Sequence, residues 1–233
     1  MRHSVQRTCG LECGASGAKL VALARRENDV VVDDVGVEEE PVAARFHPPA
    51  RAPLDLARQI LMHRDLSGRQ AILTADRATG GCFTLLPRMS RPDMAGALLL
   101  QARKTLSWQT PDPVMAHLDS EFVRDRTGSI VALGDWAALK PWCRAVEGAG
   151  AAVDGATLRV CAYQALARRQ RWAEEFPVYL VADIGAVTSI FCVFEGETPK
   201  FLREAPVAGD AVTRALMTEV STDEGTFQLG EGE

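Results

Sequence analysis

Apolar and polar positions along this chain form two matching blocks. The first reads Thr8-Cys9-Gly10-Leu11-Glu12-Cys13-Gly14-Ala15-Ser16-Gly17-Ala18-Lys19-Leu20-Val21, the second Val178-Tyr179-Leu180-Val181-Ala182-Asp183-Ile184-Gly185-Ala186-Val187-Thr188-Ser189-Ile190-Phe191-Cys192-Val193. Each is an apolar run, an acid, one residue, a glycine, small or hydroxyl residues, and a second apolar run. The pattern predicts two β-hairpins. Residues 17–26 and 29–38, split by Glu27-Asn28, extend the first hairpin into an antiparallel meander. Thr198–Val207 supplies a third strand after the second hairpin. Two such copies predict a fold of two related halves.

Between the copies the period changes. Residues 38–53 read as an extended loop, with Glu38-Glu39-Glu40 as a solvated edge and His47-Pro48-Pro49 without a core face. A helix from near Leu54 turns Leu56, Ala57, Ile60 and Leu61 inward and ends by Ser67-Gly68. Gln70–Thr74 reads as a buried strand, Gly80-Gly81 as a turn, and Cys82–Leu86 as a strand stopped by Pro87. Ser90 caps a helix over 92–107, which places Met94, Leu98, Leu99, Ala102 and Leu106 on one face. Residues 109–128 carry no clear period, with Phe122-Val123 the one strand-like pair. Ser129–Gly134 is a strand. Asp135 then caps a helix to Gly148 with Trp136, Leu139, Trp142, Cys143 and Val146 as its apolar positions. Thr157–Cys161 is expected as a strand, 162–173 as a helix, and 211–220 as a helix entered through Gly209-Asp210. The acidic, glycine-rich stretch from Asp223 is expected to fray.

Composition narrows the function classes. The 233 residues are 47% hydrophobic and 24% charged, as in ordinary globular proteins. A net charge of -5 does not favour electrostatic capture of nucleic acid. No apolar run approaches the roughly 18 residues of a membrane span. The start, Met1–Arg7, lacks a signal-peptide apolar region, so the expected location is the cytosol. Six cysteines, at 9, 13, 82, 143, 161 and 192, contain no Cys-x-x-Cys pair and read as buried reduced thiols. Histidines 3, 47, 63 and 117 lack ligand spacing and read as exposed, so no metal site is expected. Arg168, Arg169 and Arg171 read as a solvated helix end with charge favourable to its dipole.

The candidate chemistry lies in the two hairpins. An acid two residues before a glycine suits a tight turn whose backbone amides approach a phosphate. The acid then holds a metal ion or water beside it. The same pattern also occurs in ordinary hairpins.

Three strands and a helix, repeated after Val178, resemble the plan of the actin-like ATPase fold. Within it, the chain resembles the family of the type IV pilus assembly protein PilM and the cytoplasmic part of its type II secretion relative, GspL. The resemblance rests on Gly10–Val21 as a first phosphate segment, residues 54–108 as helix, strand, strand and helix, and Gly128–Gly150 as strand and helix. It continues through Asp183-Ile184-Gly185-Ala186-Val187-Thr188-Ser189 as a second phosphate segment and Val207–Leu216 as a glycine-aspartate helix start.

This resemblance implies an α/β, actin-like (ribonuclease H-like) two-half fold with a small inserted subdomain and an incomplete second half. Residues 1–79 and 129–174 would form the first half, 80–128 the insert, 175–220 the partial second half and 221–233 a flexible tail. The phosphate ends would be Glu12, Gly14, Ser16 and Lys19 on one side, and Asp183, Gly185, Thr188 and Ser189 on the other. Two departures weaken nucleotide binding. The family carries Asp where Glu12 stands, and one methylene shifts a carboxylate by about 1.5 Å. The family's later subdomain and adenosine-contacting segment are not in this sequence, so a nucleotide would lack a base clamp. The resemblance therefore implies a pseudo-ATPase scaffold with no catalytic residues and no required cofactor. It would bind the cytoplasmic tail of an inner-membrane pilus or secretion assembly protein, at the inner-membrane face through that partner. The tail would lie beside the insert, along Cys82–Leu86 or Ser129–Leu133. The alternatives are an ATPase or phosphotransferase binding Mg-ATP between the hairpins, and a structural domain with decayed motifs.

Overall fold

A computed structural model describes residues 7–27, 29–41, 52–75, 78–106, 110–111, 113–123, 125–216, 219–222 and 225–228. His3, residues 42–51 with His47, and most of residues 223–233 lie outside these residues.

The first half is built on a meander. Strands β1 (Arg7–Cys13), β2 (Gly17–Arg26) and β3 (Asp29–Glu39) pair antiparallel. Helix α1 (Pro53–Met62) crosses back, so that β4 (Gln70–Ala75) adds to β1 in parallel. A fifth strand, β8 (Ala152–Ala156), completes the order β3-β2-β1-β4-β8. Alternation puts Leu11, Leu20 and Leu73 in one row, facing Leu56 and Ile60 of α1 and Trp142 and Val146 of α3 (Trp136–Gly148). These helices form where the apolar period predicted them. Asp135 caps α3 by accepting from the Ala137 and Ala138 amides. The helix after Leu54 ends at Met62, ahead of Ser67-Gly68.

The insert is a three-stranded sheet of β5 (Thr79–Pro87), β6 (Pro113–Val123) and β7 (Arg126–Asp135), in the order β5-β7-β6. Helix α2 (Arg91–Leu106) covers one face through Leu98 and Ala102, against Cys82, Val131 and Leu133. The central strand β7 runs to Asp135, so the sheet reaches past residue 128. Gly80 and Gly81 lie inside β5 instead of forming a turn.

The second half repeats the meander. Strands β9 (Val178–Ile184), β10 (Ser189–Glu195) and β11 (Thr198–Ala205) pair antiparallel, and helix α6 (Gly209–Leu216) follows. The two halves bury opposite faces. Here Ile190, Cys192, Phe194 and Leu202 pack on the insert and on α4 (Arg159–Gln170), through Ile130 and Val160. The other face of β9 is open. Ile184 is 68% exposed, whereas Cys13, its counterpart in β1, is 2% exposed under the helices. No strand beyond β10 pairs with β9 among the described residues.

Three further expectations are corrected. Thr157–Cys161 is not a strand: the strand is Ala152–Ala156, and Arg159 opens α4, which gives way at Arg171 to a single helical turn, α5 (Trp172–Glu175). Glu40 is buried, because its amide reaches back to the Ser16 carbonyl at 2.8 Å. Backbone of the expected frayed tail pairs as a hairpin, β12 (Glu219–Thr222) with β13 (Gly225–Gln228). Cys9, Cys13, Cys82 and Cys192 are buried as expected, while Cys143 is half-buried and Cys161 exposed. His63 and His117 are exposed.

Candidate functional site

The two hairpins have the same construction. Strand β1 ends with Cys13 paired to Ala18, and β9 ends with Ile184 paired to Ser189. The Gly14 amide donates to the Gly17 carbonyl at 2.9 Å, and the Gly185 amide donates to the Thr188 carbonyl at 3.1 Å. A β-carbon on Gly185 would meet that carbonyl oxygen at 2.7 Å, so the turn requires glycine. Glu12 and Asp183 thus hold equivalent places.

Between the hairpins is a cleft of about 350 Å³ lined by Glu12, Gly14, Ser16, Lys19, Arg159, Asp183, Gly185 and Asp210. Six of the eight expected phosphate-end residues meet there. Thr188 lines the adjoining small cavity. Ser189 is turned away: it is 2% exposed and donates its hydroxyl to the Val207 carbonyl at 2.6 Å, holding the approach to α6.

The acids of the cleft are already partnered. Lys19 Nζ lies 3.9 Å from Glu12 Oε2, a long and exposed pair. Arg159 Nη1 donates to Asp183 Oδ2 at 2.8 Å, and its Nη2 reaches Thr188 Oγ1 at 3.4 Å. The Tyr163 hydroxyl donates to the same Oδ2. Burial, and then that hydrogen bond, push the Tyr163 hydroxyl far above its ordinary value, so it stays protonated as a donor. Arg159 and Tyr163 stand one turn apart on α4 and were not among the expected site residues. The spacing of Val160, Tyr163 and Ala167 was the available signal for a helix starting there.

A second concavity lies beside the start of α4. It is an apolar groove of about 330 Å³, walled by Ala116 and Leu118 of β6, Ile130 and Ala132 of β7, and Leu158, Val160, Cys161 and Gln164 at the start of α4. Strand β6 is an edge of its sheet. Of the two edges expected from sequence, one is an edge strand: Cys82–Leu86 lies in β5, at one end of the order β5-β7-β6. Ser129–Leu133 is central, bonded on both sides, and Cys82–Leu86 packs against the second half, where Phe83 meets Phe201 at 5.9 Å.

The architecture is that of the actin-like ATPase fold. It superposes on a Bacteroides thetaiotaomicron protein of that fold and unknown function with TM-score 0.50, at 8% identity over 91% of this chain and 75% of that one. It superposes more closely, with TM-score 0.66, on a chain of the PilM–PilN type IV pilus biogenesis complex, at 22% identity over 90% of this chain. This chain spans 64% of the length of that one. The cytoplasmic domain of EpsL, an inner-membrane component of the Vibrio cholerae type II secretion system, gives TM-score 0.49 at 13% identity over 96% of this chain and 80% of that one. No protein-family model and no curated protein matches the chain.

The fold class raises the question of magnesium nucleotide, and in this cleft a cation of the chain itself stands beside each hairpin acid. One oxygen of the Asp183 carboxylate, Oδ2, which would face the metal or its water, already accepts from a guanidinium and a phenol. The amides of Gly14 and Gly185 are spent inside their own turns. No group of metal-ligating side chains occurs among the described residues, and no described helix is long and apolar enough to cross a membrane.

Proposed function

We propose that the protein is a scaffold of a type IV pilus or type II secretion assembly platform, which captures the cytoplasmic tail of an inner-membrane partner. The observation that supports it is the apolar groove between edge strand β6 and α4. An extended tail is recognised by backbone bonds to a free strand edge and by pockets for alternate side chains. This groove offers both: β6 supplies the edge, and Leu118, Ile130, Ala132, Leu158 and Val160 supply the apolar floor. The likeness to a chain from the PilM–PilN complex points the same way. The protein would then sit on the cytoplasmic face of the inner membrane through its partner.

The test is a fluorescence-polarisation titration with labelled tail peptides of inner-membrane proteins encoded beside this gene. One tail should bind, and Leu118→Asp should abolish its binding while leaving the far-UV spectrum unchanged. Absence of binding by every tail, or equal binding by the variant, would remove the groove from the function.

A further inference from the structure

We infer that Arg159 is a built-in cation that takes the place of a metal in the cleft and closes it to magnesium nucleotide. The equivalence of the two hairpins marks where a metal would be sought, beside Asp183 at the second turn. The guanidinium holds that place with two separate donors, one to Asp183 Oδ2 at 2.8 Å and one to Thr188 Oγ1 at 3.4 Å. Its side chain is only 12% exposed, and that of Asp183 is 28% exposed. A divalent cation entering here would have to break a part-buried charge pair. It would then sit beside the displaced guanidinium, a like charge in a poorly solvated place. Tyr163 reinforces the closure, because its hydroxyl donates to the same carboxylate oxygen. Across the cleft, Lys19 stands beside Glu12, the other acid of the pair of hairpins. Each hairpin acid therefore faces a cation of the chain itself.

The arrangement has a structural consequence. Helix α4 carries Arg159 into the cleft and Tyr163 to the Asp183 carboxylate, while Val160 and Gln164 wall the groove. The Arg159–Asp183 pair pins this helix to the second hairpin. The groove wall is set without a ligand. The closure rests on the cleft alone, so failure of tail binding does not touch it.

Two arms test it on the full chain. In the first, Mg-ATP is titrated calorimetrically into wild type, Arg159→Gln, and Arg159→Gln with Asp183→Asn, each checked for fold by circular dichroism. Arg159→Gln should bind at least about tenfold more tightly than wild type, and the added Asp183→Asn should erase the gain. Micromolar binding by wild type that Asp183→Asn abolishes would overturn the inference, as would a folded Arg159→Gln that gains nothing. The second arm needs no variant. Manganese ion alone, added to wild type in millimolar amounts, should leave the Gly185 and Thr188 amide resonances no more broadened than those of a distant helix. Selective broadening there would equally overturn it.

Discussion

Gly81 lies so close to Leu158 that a β-carbon on it would stand 2.5 Å from Leu158 Cδ1 and 2.8 Å from Leu202 Cδ2. Its amide donates to Glu204 Oε1 at 3.1 Å. This one residue lets the insert, α4 and the second half close on each other. Gly81→Ala should destabilise the protein by about 1–3 kcal/mol, because the leucine ends must shift, and Gly81→Val by more. Gly96→Ala in α2 is the control: nothing lies within 4 Å of its added carbon. It should stabilise by about 0.5–1 kcal/mol through helix propensity. Urea denaturation of the three variants checks the contrast, and equal effects at positions 81 and 96 would contradict the packing.

The cysteines should react in an order set by burial. Cys161 is exposed on α4, Cys143 is half-buried, and the other four are buried. Burial raises the thiols of Cys9, Cys82 and Cys143, and it carries Cys192 up to about 12. Reaction with a disulfide reagent needs thiolate as well as access. One thiol, Cys161, should react fast in the native protein, Cys143 more slowly, and the remainder only on unfolding. Cys161→Ser should remove the fast phase. A fast phase of several equivalents would show the core to be open.

How much of this was legible beforehand depended on side-chain size and face. The hairpins, α1, α2 and α3 were readable because each carries one wet and one dry face, with caps such as Asp135 at the start of α3. Strand β6 was not read: its alternation of Val114, Ala116 and Leu118 with Met115, His117 and Asp119 is short and weakly apolar, and as an edge strand it leaves Val114 and Leu118 exposed. Strand β8 was missed because Ala152-Val153-Asp154-Gly155-Ala156 has little bulk, so its pairing with β4 decides its state. That shifted the expected strand onto Thr157–Cys161 and hid Arg159 and Tyr163. The chemistry of the cleft followed from an element boundary that local propensity does not mark.

Both tyrosines should resist ionisation. Burial raises Tyr179, and burial with the Asp183 hydrogen bond raises Tyr163, each above the ordinary value of 10.0. Below pH 10 the folded and unfolded chains hold the same phenolic protons. Above it the unfolded chain releases protons that the folded chain keeps, so stability falls as pH rises further. Absorbance at 295 nm should therefore titrate at higher pH in the native protein than in urea, and the rise should coincide with loss of structure. Tyr163→Phe should lower stability at neutral pH by about 1 kcal/mol, for the lost hydrogen bond. A native titration near 10 with the fold intact would place both hydroxyls in water.

The open side of β9 should govern solubility. Val178, Leu180 and Ile184 are 61%, 58% and 68% exposed along a strand edge that carries no lysine and no proline. Such an edge pairs readily with other chains. Leu180→Lys should raise the concentration at which light scattering first appears, at little cost in stability, since the side chain leaves no packed site. Unchanged scattering would mean that the edge is not the sticky surface.

Tail capture in the proposed groove should depend little on salt. The chain carries a net charge of -5, and the groove floor is formed by Leu118, Ile130, Ala132, Leu158 and Val160, with His117 and Cys161 the ionisable side chains among its lining residues. Apolar burial and backbone hydrogen bonds are not screened, whereas attraction between exposed charges falls off over about 8–10 Å at physiological ionic strength. Raising sodium chloride from about 50 to about 500 mM should change the dissociation constant less than about twofold. Ala116→Asp and Leu118→Asp should weaken binding at every salt concentration, because each places a carboxylate over the floor. A dissociation constant that climbs steeply with salt would mean the tail is held by charge elsewhere on the surface, and binding would then survive both groove variants.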